Sequence, residues 1–187
     1  MSIYFLDTNT SGRFPVTSGG SCRLVGGGTA PGRMSDSLIR QAIEMAVANV
    51  RRDGGPFAAL VVKDGTVIAA GTNQVTLGND PTAHAEIVAI REACRVLGDF
   101  QLTGCDVYAS CEPCPMCLGA IYWARPSRVF FAATHQEAAA AGFDDSFIYQ
   151  QIAVPHAQRT IPMIHLADAS RTRPFEEWGS KPDRLRY

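Results

Sequence analysis

The sequence predicts an α/β protein, a three-layer α/β/α sandwich built on a five-stranded mixed sheet. Three observations point there. Apolar residues recur at helical spacing in two long segments, short apolar runs of strand length alternate with them, and a two-residue hairpin signal, Asp64-Gly65, joins the first two runs. The order helix, hairpin, helix, strand, helix, strand, helix describes a mixed sheet covered on both faces. At 187 residues, 46% of them hydrophobic, the chain suits one domain with one sizeable core.

Residues 1–33 carry Ser18-Gly19-Gly20-Ser21, Gly26-Gly27-Gly28 and Ala30-Pro31-Gly32. They have little to bury and much entropy to lose, so a flexible tail is expected, with the domain over 34–187 and Met34 as the true start. Ser35-Asp36-Ser37 opens a helix with Ile39, Ile43, Ala46 and Val50 on one stripe, Arg51 and Arg52 at its negative end, and Gly54-Gly55 to stop it. Phe57–Val62 and Val67–Ala70 are the hairpin strands. A second helix runs over Thr82–Leu97, ended by Gly98, with Ile87, Ile90, Cys94 and Leu97 as its apolar stripe. Val107–Ser110 is the third strand, Pro115–Ala124 the third helix, Val129–Ala133 the fourth strand and Glu137–Ala141 a short helix. Ile161–Leu166 is expected as the fifth strand, and the stretch from there to Tyr187 is polar. There is no internal repeat.

The net charge of −1 lacks the basic excess that phosphate binding demands, which makes nucleic acid a poor partner and a small molecule a good one. Met1–Asp7 shows neither the basic start nor the apolar stretch of a signal peptide, and no run approaches the roughly 18 apolar residues of a membrane span. A reducing cytoplasm is the expected home. Six cysteines are too few and too clustered for a disulfide scaffold, since three fall within Cys111-Glu112-Pro113-Cys114-Pro115-Met116-Cys117.

That cluster and His84-Ala85-Glu86 are where chemistry concentrates. Each lies at the start of a predicted helix. Cys114 and Cys117, three apart, put their sulfurs on one side of a first turn, where the helix N-terminus favours thiolate. His84 adds a neutral imidazole. Three ligands leave the fourth tetrahedral position open to water, and zinc lowers the pKa of such a water to around 7. Glu86, close to the metal but not needed as a ligand, suits the proton carrier: from water to a ring nitrogen, then to a leaving amine. A structural zinc would want a fourth ligand, for which Cys111 is the one obvious candidate.

His-x-Glu followed by Pro-Cys-x-x-Cys is the signature of zinc nucleobase deaminases. Asn79–Glu86, Ser110–Pro126 and Gly142–Tyr149 resemble the bacterial guanine deaminases of the cytidine/deoxycytidylate deaminase superfamily, and the resemblance covers roughly Ser35–Tyr187. It implies the cytidine deaminase-like fold, one zinc per subunit on His84, Cys114 and Cys117, and hydrolysis of guanine to xanthine and ammonia in purine metabolism. It also implies Glu86 as proton shuttle assisted by Asp145, with Asp144 the second choice. A purine base would bind against Asn73, Phe57 and Trp123. Tyr187 would help cover the site, in a homodimer whose C-terminal segments exchange. The alternatives are a tRNA-adenosine deaminase, or a deaminase of guanosine, cytosine or ammeline. Blander roles stay open at the pocket: Trp123 and Phe57 as core, Asn73 as a turn cap, Asp145 as a surface cap and Tyr187 as a loose end. His135, His156, His165, Cys22, Cys94 and Cys105 receive no role in the chemistry.

Overall fold

The structure is a computed structural model, and it describes residues 32–186. Residues 1–31 of the expected tail and Tyr187 lie outside the described residues, and Arg33, placed at the end of that tail, opens the first helix instead. Helix α1 (Arg33–Val50) starts two residues before the Ser-Asp-Ser cap signal, with Gly32 as N-cap. Strand β1 (Ala58–Lys63) and strand β2 (Thr66–Thr72) pair antiparallel around Asp64-Gly65. Both turn residues have positive φ, 49° and 77°, the geometry whose twist matches that of flanking strands. After a single helical turn, α2 (Val75–Gly78), come α3 (Ala85–Leu97), β3 (Cys105–Cys111), α4 (Pro115–Ala124) and β4 (Arg128–Ala133). Helices α5 (His135–Ala140), α6 (Ser146–Ala153) and α7 (Arg173–Ser180) follow, with a 3₁₀ turn at His156–Gln158.

The sheet order is β2-β1-β3-β4, with β3 and β4 parallel and the other pairs antiparallel. The parallel pair needs a crossover, and α4 supplies it. Alternation along β1 and β3 divides the core in two. Ala59, Val61, Val107 and Ala109 pack with Ala85, Ala89 and Ala93 of α3, while Leu60, Val62 and Tyr108 pack with Leu38 and Ala42 of α1. Those two faces give the three layers.

Two expectations need correction. The sheet has four strands among the described residues, because Ile161–Leu166 forms none. Ile161, Ile164 and Leu166 are 78%, 79% and 80% exposed, and the segment meets no strand edge within its own chain to take up its backbone hydrogen bonds. The buried stripe of α1 is also one residue off. Leu38, Ala42, Ala46 and Asn49 face the sheet, whereas Ile43 and Val50 are exposed. Both stripes have helical period, and the observed one puts small alanines where the helix lies closest to the strands.

Gly71 fixes the approach of β2 to α3. A Cβ there would stand 2.5 Å from the Ala89 nitrogen and closer still to the Ala85 carbonyl oxygen, both of them backbone atoms. Gly71→Ala should therefore lower stability by about 3 kcal/mol, or about 6–12 °C in Tm, by thermal unfolding. A melting curve that overlays the parent's would show that α3 can shift freely.

Candidate active site

Two helix starts meet at the site. His84 is the N-cap residue of α3 and Cys114 the N-cap residue of α4, both with extended backbone, and Pro115 opens α4 where its missing N–H is not needed. Glu86 and Cys117 follow within the first turns. The positive ends of both helices thus face the same few side chains.

His84 Nδ1 lies 3.5 Å from Cys114 Sγ and 3.5 Å from Cys117 Sγ, and the three ligand atoms all fall within 4.8 Å of one another. Zinc bonds of about 2.3 Å to sulfur and about 2.0 Å to imidazole nitrogen, at a tetrahedral angle, require an N···S separation of about 3.5 Å. Both N···S separations have that value, so the three residues suit a zinc ion. Cys111 takes no part. Its thiol approaches the Thr134 carbonyl at 3.8 Å, and burial pushes its pKa up to about 11.

The site's electrostatics favour one thiolate strongly. Cys114 is held down to about 4, first by the hydrogen bond from Cys117 and also by His84. The same bond to Cys114, together with burial, pushes Cys117 up. His84 is raised, chiefly by its hydrogen bond with Cys114. Glu86 is 7% exposed, and removal from water raises its carboxyl above the usual range. Its Oε2 lies 3.5 Å from Cys117 Sγ. A raised carboxyl beside a three-ligand metal position is what a proton carrier working near neutrality requires.

His84, Glu86 and Cys114 line a cavity of about 350 Å³. Phe57, Asn73 and Asp145 line it too, so three of the sequence-predicted pocket residues are brought together with the metal ligands. Phe57 also packs against the core, and its ring meets Phe143 edge-to-face at 5.0 Å. Phe57 is thus both a core residue and part of the cavity wall. Asn73 Oδ1 accepts from the Val75 N–H at 3.2 Å, which leaves its amide nitrogen as the donor toward the cavity. The two adjacent aspartates divide their work. Asp144 accepts from the Ser146 N–H at 2.9 Å, a local turn bond, while burial and the nearby Cys114 raise Asp145.

Trp123 is not among the lining residues, and its expected place there is corrected. Helix α4 turns Cys117, Ile121 and Ala124 inward, so Trp123, two residues after Ile121, points away and is 65% exposed. It lines a separate apolar groove with Ile87, Ile90, Phe100 and Met116.

Sequence reasoning missed Asn49 and His135. Asn49, 2% exposed on α1, donates to the Gly55 carbonyl at 2.9 Å and to the Asn73 carbonyl at 2.8 Å, tying both sides of the cavity rim together. A polar residue on a helix's buried stripe was the available signal. Asn49→Ala would take this donor from the Asn73 carbonyl and leave the Gly55 carbonyl with the Phe57 N–H alone, and a loss of about 2 kcal/mol in denaturant unfolding is expected. Unchanged stability would mean that water replaces the amide at no cost.

The fold and the site together define a class. Residues 33–133 match the family described as the cytidine and deoxycytidylate deaminase zinc-binding region, and the chain belongs to that family. The chain is 53% identical over 153 residues to the guanine deaminase of Bacillus subtilis (strain 168), covering 81% of this chain and 98% of that protein. The X-ray structure of guanine deaminase from Bacillus subtilis superposes with a TM-score of 0.80, at 53% identity over 81% of this chain and 98% of the other. A guanine deaminase from Nitrosomonas europaea gives a TM-score of 0.57 at 36% identity, over 61% and 65% of the two chains. The tRNA-specific adenosine deaminase of Agrobacterium fabrum (strain C58) is 45% identical over 95 residues, 49% of this chain and 62% of that one.

Proposed function

We propose that the protein is a zinc-dependent guanine deaminase that hydrolyses guanine to xanthine and ammonia. One observation carries the reading: the His84–Cys114–Cys117 triangle has the dimensions of a three-ligand zinc site, with the buried Glu86 carboxylate against it and a base-sized cavity in front. Zinc bound there supplies a water acidic enough to ionise near neutral pH. With zinc bound, Glu86 would accept one proton from water and deliver it to the ring nitrogen beside the reacting carbon, then accept the second from the hydroxyl now on that carbon and deliver it to the departing amine. Asp145 shares the proton traffic as ammonia leaves. Phe57 offers a ring face to the base, and Asn73 donates its amide hydrogens to a ring acceptor.

Similarity extending over almost the whole of the Bacillus subtilis protein supports guanine as the ring. The tRNA-adenosine alternative has the zinc motif in its favour, but its similarity covers about half of this chain, and the net charge of −1 suits it poorly. We further infer a homodimer in the cytoplasm, with the exposed Ile161–Leu166 segment exchanged between subunits and Tyr187 brought over the site. Exposed Tyr122 and Trp123 and the bare apolar C-terminal stretch support an association surface. No helix among the described residues is long and apolar enough to cross a membrane.

The deciding experiment is ammonia release by zinc-loaded protein from equal concentrations of guanine, guanosine, adenine, cytosine and ammeline. Guanine should be turned over well above the rest. A different favoured ring would keep the zinc chemistry and replace the substrate, and no release from any of the five would favour tRNA.

A further inference from the structure

Glu112 and His135 form a pair that the deamination steps above do not use. Glu112 stands between Cys111 and Pro113, just past β3, and its backbone N–H donates to the Ala133 carbonyl at 2.8 Å. One carboxylate oxygen, Oε2, accepts both the backbone N–H of His135 at 3.0 Å and its ring Nδ1 at 2.8 Å. Helix α5 does not need this carboxylate as its cap, because Thr134 and Glu137 already form a reciprocal capping box. What the carboxylate does in addition is hold one imidazole ring in one orientation.

The chemistry of the pair fixes the tautomer. An ionised carboxylate has acceptors only, so the hydrogen between the two groups belongs to Nδ1. In the neutral imidazole, Nε2 is then an acceptor. His135 lines the cavity together with Glu86 and Asp145, and its side chain is 40% exposed, against 7% for the Glu86 residue. Glu86 therefore marks the closed end and His135 the mouth. A purine whose amino-bearing carbon lies at the closed end directs its five-membered ring toward the mouth, the part of the molecule farthest from that carbon.

We propose that His135 is a substrate-contacting residue whose Nε2 accepts a hydrogen bond from the five-membered-ring N–H of a free purine base, and that Glu112 is the positioning residue that holds it. The inference rests on the guanine reading. A nucleoside carries its sugar where the free base carries that hydrogen, so the pair selects base over nucleoside at the mouth. The contact also ties the end of β3, which leads into Cys114, to the start of α5, which leads to the wall carrying Phe143 and Asp145.

The test is steady-state kinetics on guanine and 9-methylguanine, with zinc content measured in every preparation. The parent enzyme should favour guanine in kcat/KM. His135→Ala should raise KM for guanine about tenfold, the factor for one hydrogen bond, with kcat and zinc content little changed. Its preference for guanine over 9-methylguanine should shrink by a similar factor. His135→Gln, which keeps an acceptor, should recover part of the loss. Glu112→Ala, which removes the acceptor, should weaken guanine binding in the same direction, and the Glu112→Ala, His135→Ala double variant should be no worse than His135→Ala alone. An unchanged KM and an undiminished preference in His135→Ala would overturn the proposal, as would a loss confined to kcat or to zinc. If His135→Ala does not fold, a parent-like KM and preference in Glu112→Ala would overturn it equally. A parent enzyme inactive on guanine would instead remove the substrate reading itself.

Discussion

Glu86→Gln should bind a full equivalent of zinc and yet lose activity by at least about a thousandfold in kcat. Removal of a positioned general acid–base group costs about 10² to 10⁴ in rate, and here one carboxylate carries two protons in succession. Glutamine has the same shape and keeps the contact with Cys117, so the ligand triangle should stand. It cannot accept the water's proton. The measurement is metal content beside single-turnover ammonia release. Activity within tenfold of the parent at full zinc occupancy would transfer the proton role to another group, for which Asp145 in the same cavity is the candidate.

Cys117→Ala should lose both zinc and activity, the reverse of the separation expected for Glu86. Cys117 is fully buried on the first turn of α4, and its sulfur is one of three ligand atoms already at metal-binding separations. Two ligands cannot hold zinc at the affinity of three, and His84 and Cys114 alone leave two positions open to competing water. The expected result is less than about a tenth of the parent's zinc after dialysis against a mild chelator, with activity falling in proportion, since the open-site chemistry depends on all three ligands. Full occupancy after dialysis would mean that another residue completes the site. Cys111, the other cysteine at the site among the described residues, is engaged with the Thr134 carbonyl and would have to swing away.

The metal centre was legible because its residues are local in sequence. His84 with Glu86, and Cys114 with Cys117, are each set by one helix start, and the signals for those starts are short-range: a proline at the first helical position and an apolar stripe behind. The hairpin was legible for the same reason, through Asp64-Gly65. What failed depends on distance. The orientation of Trp123 follows from which face of α4 meets α3, and a run as apolar as Pro115–Ala124 has no polar face to declare it. Ile161–Leu166 has a strand's composition, but composition does not supply a partner. Helix α6 was announced by Asp144-Asp145-Ser146 and helix α7 by Thr172-Arg173-Pro174, yet the one was read only for its carboxylates and the other only as polar chain. His135 was passed over because its meaning lies in Glu112, which is 23 residues away in sequence and 2.8 Å away in space.

The Asp64-Gly65 turn closes the end of the sheet opposite the chemistry. The cavity takes Phe57 and Ala58 from the start of β1 and Asn73 from just beyond β2, so the length of a six-residue strand, about 20 Å, lies between the turn and the bound base. An affinity tag, a fluorophore or a fused reporter domain spliced between Asp64 and Gly65 would hang from the far side of the molecule. Such a fusion would let turnover be followed on a surface or inside a cell, with the opening through which guanine enters and ammonia leaves kept clear.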